Sequence, residues 1–162
     1  MTTADRLLRQ CLWIGASIAV AGALLHVAAI AGGASWYAFF GAPPAVVASA
    51  RAGTWLAPAS AAAIAALMAL CAVYACSALG VVRRLPLLRT TLAAIAAICL
   101  LRGVILLPLA WLHPELRNTF EIVAAVVWAA AGMGFAAGFL YRGSAGQIPP
   151  TGADAQIPYC QG

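Results

Sequence analysis

The chain has 162 residues, 65% of them hydrophobic and only 8% charged. Soluble domains carry about 25% charged residues, so nine basic and four acidic side chains are too few to solvate one, whereas long uncharged runs are what a bilayer demands. The net charge of +5 does not mark a nucleic-acid protein, because the basic residues sit at the ends of apolar runs and not on a soluble face. All nine are arginine, and with so much alanine and glycine that points to a GC-rich bacterial genome. Of the cysteines, Cys11, Cys71, Cys76 and Cys99 lie in apolar runs and Cys160 near the end of the chain. No CxxC occurs, and they read as small buried hydrophobes, not a disulfide framework.

The first apolar run covers about 11–31, preceded by Arg6 and Arg9. Ala29-Ile30-Ala31 fits a signal-peptidase site, but a run of about 21 residues exceeds the usual h-region of about 7–15. A retained helix is expected. Gly15, Ala19, Gly22 and His26 share one face of it, where another backbone can approach closely. Residues 32–54 form the longest connection, read as a loop. Gly32-Gly33 ends the helix, and Trp36, Tyr37, Phe39 and Phe40 belong at the headgroup level, as a lid lying on the membrane. Pro43-Pro44 opens a short interfacial helix running to Arg51.

The second run is about 55–82. A basic turn follows, Arg83 to Arg89, with Pro86 breaking the helix. The third run, about 90–112, is interrupted by Arg102 and ends near Pro108. After a short polar turn at 113–118, the fourth covers about 120–141, with Ala130, Gly134 and Gly138 as a small-xxx-small packing seam. The remainder, 143–162, carries two Gln-Ile-Pro copies and reads as a disordered or polyproline-like tail. The expected architecture is an all-α, antiparallel four-helix membrane bundle over 1–142 with an aromatic membrane-surface loop. Arg6, Arg9, Arg83, Arg84, Arg89 and Arg142 fall on one side, and Arg51 and Arg117 on the other. The arginine-rich side is read as cytoplasmic, which puts both termini inside a bacterial inner membrane.

Arg102 is the most informative residue. A charge at mid-helix costs about 2.5–3.5 kcal/mol on insertion scales, and such residues by default mark a functional site. The competing reading is a brace between helices or a snorkelling side chain. Counting depth at about 1.5 Å per residue places Tyr74 of the second helix and His26 of the first within reach of Arg102. Cys71, Tyr74 and Ser77 make a weakly polar stripe, and Glu121 shares its face with Trp128. The ligand-binding candidates are therefore Arg102, His26, Tyr74, Glu121 and Trp128. Converging, they would suit an anionic headgroup, a quinone carbonyl or a substrate oxygen. A bis-histidine haem is set aside because His113 lies at the surface. Zinc chemistry is set aside for want of three suitably spaced ligands, and phosphate-loop chemistry because no Gly-rich loop is present. No metal or cofactor is expected.

The segments His26…Gly32-Gly33…Trp36-Tyr37…Phe40-Gly41-Ala42-Pro43, Tyr74-Ala75-Cys76-Ser77…Arg84-Leu85-Pro86-Leu87-Leu88-Arg89 and Leu100-Leu101-Arg102-Gly103 resemble a group of small four-helix bacterial membrane proteins. The likeness spans about residues 22–110. It implies a fold and a membrane address, and carries no activity. The functional expectation is a binding or accessory protein holding a lipid or hydrophobic ligand near Arg102, acting as a homo-oligomer or as a subunit of a membrane complex. The alternatives are a membrane-embedded, isomerase-like enzyme using His26, Tyr74 or Glu121 as acid or base, and a transporter or channel subunit.

Overall fold

The computed structural model describes residues 2–113 and 119–141. The expected tail at 143–162, most of the polar turn, Arg117, Arg142 and Cys160 lie outside the described residues. Within these, all regular structure is helical: α1 (Thr3–Gly32), α2 (Ala34–Phe39), α3 (Pro44–Arg51), α4 (Leu56–Ala78), α5 (Leu88–Val104), α6 (Leu106–Leu112) and α7 (Thr119–Leu140). Four stretches are long and apolar enough to cross a membrane: Thr3–Gly32, Leu56–Ala78, Leu88–Leu112 and Thr119–Leu140.

α1 starts well before the apolar run, because a capping box opens it. The Asp5 N–H donates to the Thr2 hydroxyl (3.1 Å), and the Thr2 N–H donates to the Asp5 carboxylate (3.0 Å). Two donors that a helix start leaves orphaned are thereby satisfied. At the other end, Gly33 has φ 69°, a conformation glycine adopts without a Cβ penalty. The break is a single residue wide. The segment expected as an aromatic loop is instead a second helix, α2, with the Tyr37 N–H donating to the Gly33 carbonyl (3.2 Å). α3 begins at Pro44 and ends at Arg51, as expected.

A serine that the sequence reading passed over ties α3 to α4. Ser49 is buried, its hydroxyl lies 2.6 Å from that of Thr54, and it accepts the Ala57 backbone N–H at 3.1 Å. Ala57 is fully buried in the first turn of α4, where backbone donors have no intrahelical acceptor. Ser49→Ala should therefore cost about 1 kcal/mol, the usual value of a lost helix cap, read as a lower midpoint in thermal unfolding.

α4 stops at Ala78, short of the expected 82, at a turn through Gly80 (φ 76°). The Ser77 hydroxyl holds that turn: it donates to the Arg83 carbonyl (3.1 Å) and accepts the Leu85 N–H (3.0 Å). The third apolar run is two helices, α5 and α6, and continues past Pro108 instead of ending there. Proline has no N–H to give, and its ring crowds the carbonyl four residues back, here that of Val104. The disruption falls at Ile105, and the chain resumes as α6.

Packing is built on close backbone approach. A methyl group placed on Gly134 would lie 2.6 Å from the Cys11 carbonyl oxygen and 2.9 Å from Gly15 Cα; one on Gly138 would meet Leu12. On its other side α7 takes α5: Gly103 faces Ala125 and Ala129, and Gly132 faces Leu100. α1 also packs along α4, with Gly22 against Met68. The Gly134–Gly138 seam is thus occupied within the chain by α1. One core cluster gathers Leu12, Ala75, Leu92, Cys99 and Phe135; a second gathers Ala29, Tyr37, Ala57 and Ala61. The outward residues Leu24, Leu67, Ile98 and Val126 are 61–65% exposed, so each of the four long stretches turns an apolar flank away from the core.

Candidate functional site

The four long stretches do not close evenly. α1 packs along α4 and α7, and α5 along α7, but α4 and α5 meet far less. Where they do meet is near their joining turn: Cys71, Ala72, Ala75 and Leu79 share a cluster with Leu88, Leu92, Ile95, Ala96 and Cys99. Farther from the turn, Ala57 and Ala61 of α4 pack instead with Ala29 and Tyr37. The side of the bundle between α4 and α5 is therefore open at the end away from Gly80.

Arg102 belongs to that open side. It lies seven residues beyond Ile95 on α5, which is close to two full turns and so the same stripe. Ile95 is half-buried against the core cluster, whereas Arg102 is exposed. Helical side chains lean toward their own N-terminus, which tips the guanidinium back along the seam. No hydrogen bond or ion pair joins it to another described residue. It lies on the flank of α5 that also bears Ile95, and α5 packs far less against α4 than against α7.

The other candidates are dispersed. Tyr74 and Trp128 are half-buried and pack against the first core cluster, with Tyr74 at the closed end of the seam. His26 is half-buried on α1, with Nδ1 2.8 Å from the Gly22 carbonyl oxygen. A carbonyl only accepts, so Nδ1 carries a proton in this contact. α1 and α5 have no packing comparable to their contacts with α7, and no hydrogen bond joins His26, Tyr74 and Arg102. Glu121 is half-buried in the first turn of α7.

The four lid aromatics divide. Trp36 and Phe39 are exposed, Phe40 is half-buried and Tyr37 is buried at 6% exposure. The Phe40 ring lies 5.9 Å from Trp36 and 5.2 Å from Phe39. Tyr37 points the other way, into the Ala29–Ala57–Ala61 cluster, and its hydroxyl is buried without a hydrogen-bond partner. Composition alone put all four rings at the headgroups; helix geometry separates Tyr37 from its neighbours by 100° per residue. A groove of about 670 Å³ borders this cap, lined by Ala38, Ala42, Pro44, Val47, Ala48, Arg51 and Ala52.

The two ends of the molecule differ in chemistry. Gly41, between α2 and α3, lies against the ring of Phe120 at the start of α7. The exposed Trp36, Phe39, Trp55, Trp111 and Phe120 consequently gather at the cap end. Arg6, Arg9, Arg83, Arg84 and Arg89 lie at the opposite end, with the Arg89 guanidinium 5.0 Å from the centre of the Phe139 ring. No family model, curated protein or solved structure matches the chain.

Proposed function

We propose that this chain is a multi-pass protein of the bacterial inner membrane, an antiparallel four-helix bundle with cytoplasmic termini, which holds a lipid or small hydrophobic ligand in the open seam between α4 and α5. Three features support the membrane setting: the apolar outer flanks, five of the exposed aromatic rings gathered at one end and the arginines at the other. The antiparallel reading is supported by contact order. Leu12 meets Gly138 where Gly15 meets Gly134, and Leu100 meets Gly132 where Gly103 meets Ala125, so numbers rise along one helix as they fall along its neighbour.

The single observation that carries the ligand reading is Arg102, exposed on the seam and unpaired among the described residues. In hydrocarbon, a lone guanidinium is expensive. An anionic headgroup or a quinone carbonyl entering sideways from the bilayer would supply the missing acceptor, and its apolar body would fill the gap between the helices. Tyr74 is packed against the first core cluster, which would bound a ligand on that side. The test is the ligand carried through mild purification and measured by mass spectrometry. Arg102→Gln should keep the fold and lose at least about tenfold in retained ligand, since a hydrogen bond to a charged group is worth about 1.5–3 kcal/mol and about 1.4 kcal/mol is tenfold. Unchanged ligand with a lowered unfolding temperature would make Arg102 a brace between helices and end the ligand reading.

A further inference from the structure

The cap presents a second arrangement that the seam does not use. We propose that it is a seat for an anionic phospholipid, with the phosphate at Arg51 and an ester carbonyl at the Tyr37 hydroxyl. The proposal rests on the membrane reading above but not on ligand binding at Arg102.

Two independent observations meet here. Among the described residues, Arg51, exposed in the last turn of α3, is the one charged side chain in a groove otherwise lined by alanine, valine and proline. No other described arginine stands at this end. The second observation is the Tyr37 hydroxyl, more than nine-tenths buried and without a partner. A buried hydroxyl left unpaired is unfavourable, and the phenol has a proton to donate. Ala42 and Val47 belong to both places: they line the groove and pack against the Tyr37 cluster. Only that thin wall separates the cation from the donor.

Seating an ester on the phenol requires that wall to be displaced. Pro44–Arg51 is bracketed by Gly41 (φ 67°) and Gly53 (φ 66°), while Ser49 pins its far end to Ala57. Displacing the Pro44 end by a side chain's width would expose the phenol and leave Arg51 anchored. The occupant then needs an anion and a carbonyl acceptor a few ångströms apart on an apolar body. A glycerophospholipid has both; inorganic phosphate lacks the carbonyl, and a quinone lacks the anion. A net negative headgroup is preferred over a zwitterionic one, because no acidic side chain among the described residues lines the groove to balance a headgroup ammonium.

The experiment reads lipids retained by the full chain after extraction from nanodiscs of equal phosphatidylglycerol and phosphatidylethanolamine. Native mass spectrometry would score both headgroup ratio and total load. One basic residue at a membrane surface predicts an enrichment of phosphatidylglycerol of about fivefold. Arg51→Gln should bring that ratio to about one, and Arg51→Lys should keep it. Tyr37→Phe should lower the total cap-bound load, and should not lower thermal stability in lipid-free detergent, since it removes an unpaired hydroxyl. An unchanged ratio in Arg51→Gln would overturn the proposal, as would equal loss in Arg51→Lys or a full load in Tyr37→Phe. A ratio that collapses only in Arg102→Gln would move the headgroup to the seam, refuting the cap site while sustaining the other.

Discussion

Phe135→Ala is expected to lower the stability of the folded chain by about 2–3 kcal/mol, the largest loss from a single truncation in the first core cluster. Phe135 is 2% exposed and is the largest of the fully buried side chains. Its surroundings are Leu12 of α1 and Leu92 of α5, so its ring fills the space where three helices meet. In water, such a change costs about 3–5 kcal/mol. On the membrane reading the cost is smaller, because lipid tails are as apolar as leucine and the unfolded reference state exposes the ring to hydrocarbon. The cavity term remains: a deleted volume of about 100 Å³ at about 24 cal/mol per Å³ gives about 2.4 kcal/mol. Equilibrium unfolding in mixed detergent micelles, followed by circular dichroism, would measure it. A loss below about 1 kcal/mol would mean that the site collapses freely or that the ring does not fill the centre.

Gly134→Ala should come next, at about 2 kcal/mol. Alanine is favoured over glycine inside a helix by about 1 kcal/mol, so the substitution would stabilise an isolated α7. Here the new methyl would strike backbone: the Cys11 carbonyl at 2.6 Å and Gly15 Cα and N at 2.9 Å. Backbone cannot rotate aside, so α1 must move away as a whole. Overpacking of that kind reaches about 3 kcal/mol, which outweighs the propensity gain. Gly22→Ala is the matched control. Its methyl would meet only Sδ and Cε of Met68, the free end of a side chain with three rotatable bonds. That variant should be close to neutral in the same unfolding assay. If the two variants behaved alike, the α1–α7 contact would not be the close crossing described.

The four apolar runs were legible because hydrophobic length is a strong signal, and the glycine faces at Gly15–Gly22 and Gly134–Gly138 because small residues at helical spacing have few other uses. What escaped was set by geometry beyond the window of a run. Thr2 and Asp5 extend α1 through polar turns that an apolar count ignores. Pro108 looked like an end, but a helix can resume after one disturbed turn. The rings from Trp36 to Phe40 were read by composition, which does not say that Tyr37 turns inward while its neighbours face out. Arg102 was recognised as exceptional from its position alone. Its exposure was not, because exposure depends on how closely α4 and α5 pack, which no single run encodes.

The order of helices along the chain has a consequence for assembly. α5 finds its main partner in α7, and α7 is also a partner of α1. During synthesis, α1 and α4 can pair as soon as both have emerged, but α5 emerges before the surface it needs. It must wait, held to α4 by the turn and by the packing next to it. α7 then acts as a keystone, docking on the waiting α5 and on the α1 side of the finished pair in one event. The last-made of these helices closes the structure. A nascent chain halted before residue 119 would hold a formed α1–α4 pair beside an unclaimed α5, and quality-control proteases that sense unpaired helices would read the stalled product at that stage.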